Sequence, residues 1–292
     1  MPVSISVVIV TYNSADHILE CLKSIDSQAD RFEVEILVVD NNSSDATRGI
    51  LESFSPDFCS FTRIYNDENR LFAPATNQGL REANGEYLLI LNPDTRLEPE
   101  ALLLLIEYIR GDRKAGAVAP QLLNPDGTIQ PSCRRFPRHR DVVFHSFGLH
   151  KLFPKSPLFN GWKMGDFSHQ ETREVDQPQG AALLTSRTVL KRVGEFDESF
   201  PMFFNDVDWC RRVRNAGYAI VYYPQAKVTH HRGASVNQVK WKMIVRSHVS
   251  FFRYFEKYYD SALLQLYNFV VALLLYGSIP LRILGQTLRK KF

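Results

Sequence analysis

The feature that most limits what this chain can fold into is a set of short, almost wholly apolar runs. "ISVVIV" (Ile5–Val10), "VEILVVD" (Val34–Asp40), "FTRIYN" (Phe61–Asn66) and "YLLILN" (Tyr87–Asn92) are separated by longer stretches with helical spacing. After the first run, Ile18, Leu19, Leu22 and Ile25 fall on one helical face. "NNSSD" offers a helix start ahead of 46–54, and another helix is expected near 73–83, before the breaker Asn84-Gly85. Strands that lack polar alternation need cover on both faces, and helical crossovers supply it. The expected fold class is α/β with a mostly parallel sheet.

Composition narrows the field. A chain of 292 residues with 45% hydrophobic residues can fill a large core, and a net charge of +3 gives no global case for nucleic-acid binding. Cys21, Cys59, Cys133 and Cys210 are scattered without a C-x-x-C pair, which favours a reducing, cytosolic setting over disulfides or structural zinc. "MPVSISVVIVTYN" reads as a first strand and not as a signal peptide. From about 124 to 177 the periodicity dissolves into Pro, Arg, His and aromatic residues, too long for an ordinary connection. Regular structure is expected again at 180–186 (strand), 187–193 (helix), 205–217 (a helix with Gly217 past its end) and 218–224 (strand).

The polar residues at the strand ends carry the chemistry. Strand one ends in Thr11-Tyr12-Asn13, strand two in Asp40-Asn41-Asn42 and strand four in Asn92-Pro93-Asp94. Parallel strands project these ends over one carboxyl edge, where open α/β sheets bind ligands. Asp40 would accept the imide N–H of a pyrimidine, Tyr12 would pack on the base, and Asp94 would hold a cation that neutralises a diphosphate leaving group. The competing reading of Asn-Pro-Asp is a simple turn.

The ordered series "VVIVTYN", "ILVVDNNSSD", "ENRLFAPATNQG", "YLLILNPDT", "QGAALLTSR", "FDESFPMFFNDVDWCRR" and "THHRGAS" resembles family 2 inverting glycosyltransferases, in pattern the rhamnosyltransferase-like branch. The likeness spans about 4–236. It implies the GT-A nucleotide-diphospho-sugar transferase fold, a Rossmann-like sheet with a nucleotide-sugar half (about 1–120), an acceptor half (about 121–236) and a C-terminal helical extension (237–292). It further implies that Thr11, Tyr12, Asn13 and Asp40 contact the nucleoside, with Asn69 and Asn77 lining the donor pocket. Asp94 is similar to the last carboxylate of the DxD-type motif, with Asn92 where many members have Asp. His230 would complete a site for a divalent cation, Mg²⁺ or Mn²⁺, and His231 is the competing choice. Gln179, Gly180 and Asp208 are placed on the acceptor side, and Asp206 where the family has its general base. Without the likeness, Asp206 reads as a helix cap, and Asp208 as a partner of the helix dipole or of Arg211 or Arg212. Leu71 stands where many members carry glycine.

The implied partners are a dTDP- or UDP-linked sugar, L-rhamnose from dTDP-rhamnose being the suggested donor, and a hydroxyl of a glycan or polyprenyl-linked acceptor. Residues 261–281 carry no charge and are followed by Arg282, Arg289, Lys290 and Lys291. Gln265, Asn268, Gly277, Ser278 and Pro280 weaken a membrane span. An in-plane helix on the inner face of the cell membrane is the preferred expectation, against a helix packed on the catalytic domain or in a homo-oligomer contact. Two functional rivals stay open. A sugar-1-phosphate nucleotidyltransferase would need a Gly-rich basic loop that "TYNSADHI" lacks, and a non-catalytic nucleotide-sugar binder would not need its carboxylates.

Overall fold

The computed structural model describes residues 3–231 and 240–289. Gly233-Ala234-Ser235 and the basic Lys290 and Lys291 lie outside the described residues. The chain opens with β1 (Ser4–Thr11), α1 (Ile18–Asp26), β2 (Glu33–Asp40), α2 (Thr47–Ser53), β3 (Ser60–Tyr65) and α3 (Phe72–Glu82). β4 (Tyr87–Leu91), β5 (Thr95–Leu97), α4 (Ala101–Gly111) and β6 (Ala115–Leu123) follow. The stretch read as irregular carries short elements: β7 (Cys133–Arg134), α5 (His139–Ser146), α6 (Leu149–Leu152), β8 (Arg173–Glu174) and β9 (Gln177–Pro178). β10 (Ala182–Ser186), α7 (Arg187–Val193), α8 (Asn205–Asn215), β11 (Ala219–His230), α9 (Lys240–Tyr258) and α10 (Ala262–Arg289) complete it.

One sheet runs β3-β2-β1-β4-β10-β6-β11-β5, with β8 also on β11. β3, β2, β1 and β4 are mutually parallel, as the apolar runs required. Side chains alternate between two cores along β1 as the pleat dictates: Ile5, Val7 and Ile9 enter one, while Val8 enters the core on the opposite face. Helix α3 approaches β1 so closely that a Cβ on Gly79 would stand 2.5 Å from Val8 Cγ1. β10 departs from the parallel pattern, running antiparallel to both β4 and β6. β11 is longer than the expected strand. It breaks register with β6 between Tyr223 and Lys227, around Pro224, and its last residues pair with β5.

The C-terminal helices have a packed inner face. On α9, Phe251, Tyr254 and Phe255 are buried, and α10 contributes Val271, Leu275 and Asn268. Arg211 of α8 donates to Tyr254 Oη at 2.6 Å and stacks among Phe136, Tyr258 and Tyr259. The outer face of α10 is also apolar: Leu266, Phe269, Val270 and Leu273 are exposed. A helix apolar on every side is normally enclosed. Among the described residues, no helix is long and apolar enough to cross a membrane.

Asp208, expected on the acceptor side, is placed elsewhere. It is 0% exposed, and its oxygens accept from Arg212 Nε at 2.8 Å, Lys257 Nζ at 2.6 Å and Tyr258 Oη at 2.7 Å. Three donors from two helices consume it, so it clamps α9 onto α8. Asp208→Ala should cost about 2–4 kcal/mol, somewhat below a fully buried ion pair because Arg212 and Lys257 keep water contact. Equilibrium urea unfolding measures this, and a change below ~1 kcal/mol would remove the clamp role.

Candidate active site

Sheet topology gathers the strand-end residues. Thr11 and Asp40 are register partners on β1 and β2, both fully buried. Thr11 Oγ1 and Asp40 Oδ1 have no hydrogen-bond partner, an unusual state for buried polar atoms. Asp40 Oδ2 accepts from the Ser43 N–H at 3.1 Å and from Arg48 Nε at 2.7 Å. Arg48 also donates to Asn66 O at 2.9 Å and lies over the Tyr65 ring. Sequence reasoning missed Arg48, because nothing in a surface helix signals which carboxylate its arginine will reach. Asn13 has φ +50°, and its Oδ1 accepts from the Ser44 N–H at 2.8 Å, tying the ends of β1 and β2 together. Tyr12 beside it is half-buried.

The two asparagines assigned to the donor pocket differ. Asn69 is exposed and accepts from the Leu71 N–H at 2.9 Å. That bond helps hold Leu71 at φ +68°, a region that favours glycine. Asn77 is placed away from the sheet edge. Its Nδ2 donates to Phe196 O and Glu198 Oε1, and its Oδ1 accepts from the Phe196 N–H. All of its amide is spent on bridging α3 to the 196–198 segment, so it has nothing left for a donor.

β5 pairs antiparallel with the end of β11, Thr95 opposite His230, and this register brings Asp94 to the histidine. His230 Nε2 lies 3.5 Å from Asp94 Oδ1, and both side chains are buried. Gln130 explains the orientation. Its Nε2 donates to Asn124 Oδ1 at 2.9 Å, which turns Oε1 toward His230 Nδ1 at 2.7 Å and puts the imidazole proton there. The Nε2 lone pair then faces a carboxylate oxygen, an arrangement that calls for a proton or a cation between them. Ligands bonded to one ion at about 2.1–2.2 Å sit roughly 3–3.5 Å apart, so this spacing fits a divalent cation. Among the described residues, no third His, Cys, Asp or Glu joins them as a metal cage. His231 turns away to stack on His17 at 4.5 Å and approach Glu20.

Reversed β10 places its own start on this same edge. Asn92 N–H donates to Ala181 O at 2.9 Å, linking the Asn92–Asp94 turn to the residue after Gly180. Asp206 Oδ2 accepts from the Gly180 N–H at 3.2 Å and Gln177 Nε2 at 3.3 Å. A Cβ on Gly180 would stand 3.2 Å from Asp206 Cβ, so the contact is closest with glycine. Gln179 is pinned by its N–H to Ser132 O at 2.8 Å. The cap position of α8 is Phe204 at φ +66°, with no side-chain cap bond, so Asp206 does not serve as the cap. Asp206 lies deep in the protein with part of its surface open. Desolvation raises its pKa above the ordinary carboxylate value, opposed by the Gly180 and Val207 N–H groups and by the Arg134 charge.

Comparison with known proteins gives the family and the fold. The chain is 28% identical over 243 residues to an N-acetylglucosaminyl-diphospho-decaprenol L-rhamnosyltransferase of Mycobacterium tuberculosis, covering 80% of this chain and 77% of that protein. It is 24% identical to Rhamnosyltransferase WbbL of Escherichia coli (strain K12), covering 77% and 82%. Among solved structures, the mannosyltransferase PcManGT from Pyrobaculum calidifontis, in complex with GDP-Man and Mn²⁺, has a TM-score of 0.60 at 20% identity, covering 95% of this chain and 76% of its own. S. aureus TarS 1–349 with UDP-GlcNAc gives 0.54 at 19%, covering 85% and 66%. These structures share the GT-A fold. Residues 6–164, over half of the chain, match the glycosyl transferase family 2 description, and the chain is accordingly a glycosyltransferase belonging to that family.

Proposed function

We propose that this enzyme transfers a sugar with inversion, L-rhamnose from dTDP-rhamnose, to a hydroxyl of a lipid-linked glycan at the inner face of the cell membrane. The observation that carries the reading is Asp206: one carboxylate, raised in pKa and held by Gly180 and Gln177 on the edge that also bears Asp94 and His230. Inverting transfer needs one base opposite the leaving group, with a pKa lifted toward the working pH. Thr11 and Asp40 supply unmet polar atoms for the nucleoside, while Tyr12 and Asn13 border it. The rhamnosyltransferase relatives support the donor, and the diphospho-decaprenol in the name of one of them supports the acceptor class. The apolar outer face of α10, with the cationic chain end after it, supports in-plane contact with an anionic bilayer.

In this reading Asp206 accepts the acceptor's hydroxyl proton as the oxygen attacks the anomeric carbon. Gly180 and Gln177 keep the carboxylate turned toward that oxygen. Asp94 and His230 would hold Mg²⁺ or Mn²⁺, which when bound neutralises charge on the departing nucleoside diphosphate. Gln130 keeps the His230 lone pair directed at that position.

Asp206→Asn should lower turnover by about 10²–10⁴-fold, with donor affinity little changed. It should also raise stability at neutral pH. Between the ordinary carboxylate pKa and its raised native value, the native protein binds more protons than the unfolded chain, so this carboxyl's contribution declines as pH rises through that window. Thermal melting across pH reads this, and a fully active Asn variant would end the assignment. The acid limb of the wild-type pH–rate profile should lie above the ordinary carboxylate range.

Asp94→Ala should act differently, weakening metal-dependent donor binding and responding to added metal. Gln130→Leu should weaken the divalent cation by about 10–100-fold through the freed imidazole tautomer. Calorimetric titration with Mn²⁺ and dTDP separates these effects, and wild-type metal affinity in Gln130→Leu would sink the orienting role.

A further inference from the structure

Among the described residues, a second exposed apolar surface besides that of α10 lies on α5, α6 and the turn after them. Phe147 and Leu152 are 69% and 71% exposed, and Phe153 and Leu158 are about half exposed. These side chains are not in water for want of structure. Phe159 packs edge-on against Phe144 and also meets the Phe153 ring, with centroids 5.1 Å apart in both pairs. Asn160 Nδ2 donates to Pro154 O at 2.7 Å, and a Cβ on Gly165 would collide with that same oxygen. The root of the segment is buried in the C-terminal helices. Val142 of α5 shares a cluster with Phe255, Val271 and Leu275, and His139 Nε2 meets Asn268 Oδ1 of α10 at 2.8 Å. A braced turn that holds several large apolar groups in water marks an interaction surface.

Charge identifies what covers it. Residues 142–165 contain three lysines and no Asp or Glu. Lys151 and Lys155 bracket Leu152, Phe153 and Pro154, and all five residues are exposed. A two-fold contact with a second copy would set this cationic patch against itself, because such an interface uses the same surface twice. An anionic bilayer accepts it without conflict, with the lysines at lipid phosphates and the Leu and Phe side chains below them. Geometry adds a reason for a second contact. Helix α10 lying alone in the interface would leave the protein free to roll about the helix axis, whereas a contact on a separate element fixes that roll. The chain enters α5 from β7, which pairs with β9, and Gln177 of β9 donates to Asp206. One short sheet thus ties the segment to the edge that bears Asp206.

We propose that the α5–α6 segment is a second membrane anchor. It seats Leu152 and Phe153 in the interface of an anionic bilayer, with Lys151 and Lys155 at the lipid phosphates, and so fixes how the Asp206 edge faces the membrane. This rests on the bilayer contact proposed above and extends it to an element that has no part in α10.

The test is flotation of the full chain with vesicles of phosphatidylcholine, alone or with phosphatidylglycerol as the anionic lipid. Leu152→Gln combined with Phe153→Gln should lower the partition constant on anionic vesicles by about tenfold or more. Lys151→Gln combined with Lys155→Gln should lower it about tenfold on the anionic vesicles and change little on phosphatidylcholine alone. Leu266→Gln combined with Leu273→Gln probes α10 in parallel. Release by the α10 variant alone overturns the proposal and leaves the α10 contact standing. Release by the α5–α6 variants alone removes the α10 contact and upholds this one. Failure of the parent chain to float with anionic vesicles overturns both. A direct readout uses Phe153→Trp with brominated lipid, which should quench the added emission at least about twofold if the side chain enters the interface. An unquenched tryptophan in vesicle-bound protein overturns the proposal. A changed oligomeric state in Leu152→Gln/Phe153→Gln, with vesicle binding intact, assigns the patch to a protein contact and overturns it as well.

Discussion

The reversal of β10 is the constraint on which the catalytic edge depends. Parallel strands deliver Thr11, Asp40 and Asn92 to one rim of the sheet. A strand running the other way begins where its neighbours end. Its first residues, joined through Asn92 N–H to Ala181 O, bring Gly180 to that rim. Gly180 in turn meets Asp206. The Asn92–Asp94 turn and the Gly180–Asp206 contact are thus fixed side by side at one sheet rim and not on independent loops. A rigid sheet sets the relative positions of reacting groups more closely than loops do.

Helix α8 divides its labour between two carboxylates. Residues two apart on a helix point about 200° apart, so Asp206 and Asp208 cannot face the same partner. Asp206 accepts from three neutral N–H donors, those of Gln177, Gly180 and Val207, and burial leaves its pKa raised. Asp208 faces inward to three charged or hydroxyl donors and is committed to structure. The same residue type on one turn is therefore left titratable at the rim in one direction and committed to cohesion in the other. What separates them is whether their donors are neutral or mainly cationic.

Local pattern was legible, and long-range partnership was not. Apolar runs such as Ile5–Val10 announced the parallel strands, and the order of polar strand ends announced the rim. Asp94, His230, Gly180 and Asp206 stand out in the sequence, and the fold brings them to one edge. Strand direction escaped, because the side-chain period of β10 is the same whichever way it runs. Gln130 and Arg48 escaped because their importance lies wholly in partners distant in sequence, His230 and Asp40. Asn77 was misplaced for the complementary reason: its position in a pocket-like segment said nothing of the Phe196 backbone that takes up its amide. The pairing of β7 with β9 was hidden by strands too short for any periodicity.

The Asp208 clamp also decides where this protein ends as a physical object. The sequence resemblance runs out near 236, and the family match itself at 164, so a reader of sequence would cut at or before 236. A chain stopped at that point would leave a fully enclosed carboxylate facing Arg212 alone, and Arg211 without the Tyr254 hydroxyl that it donates to. The helix that carries Asp206 would then be the one made to accommodate the loss. The buried unit instead runs on through α9 and into α10, whose Val271 and Leu275 close the cluster around Val142, Phe251 and Phe255. Homology marks the boundary of what is shared, whereas the buried charges of α8 mark the boundary of what can stand alone.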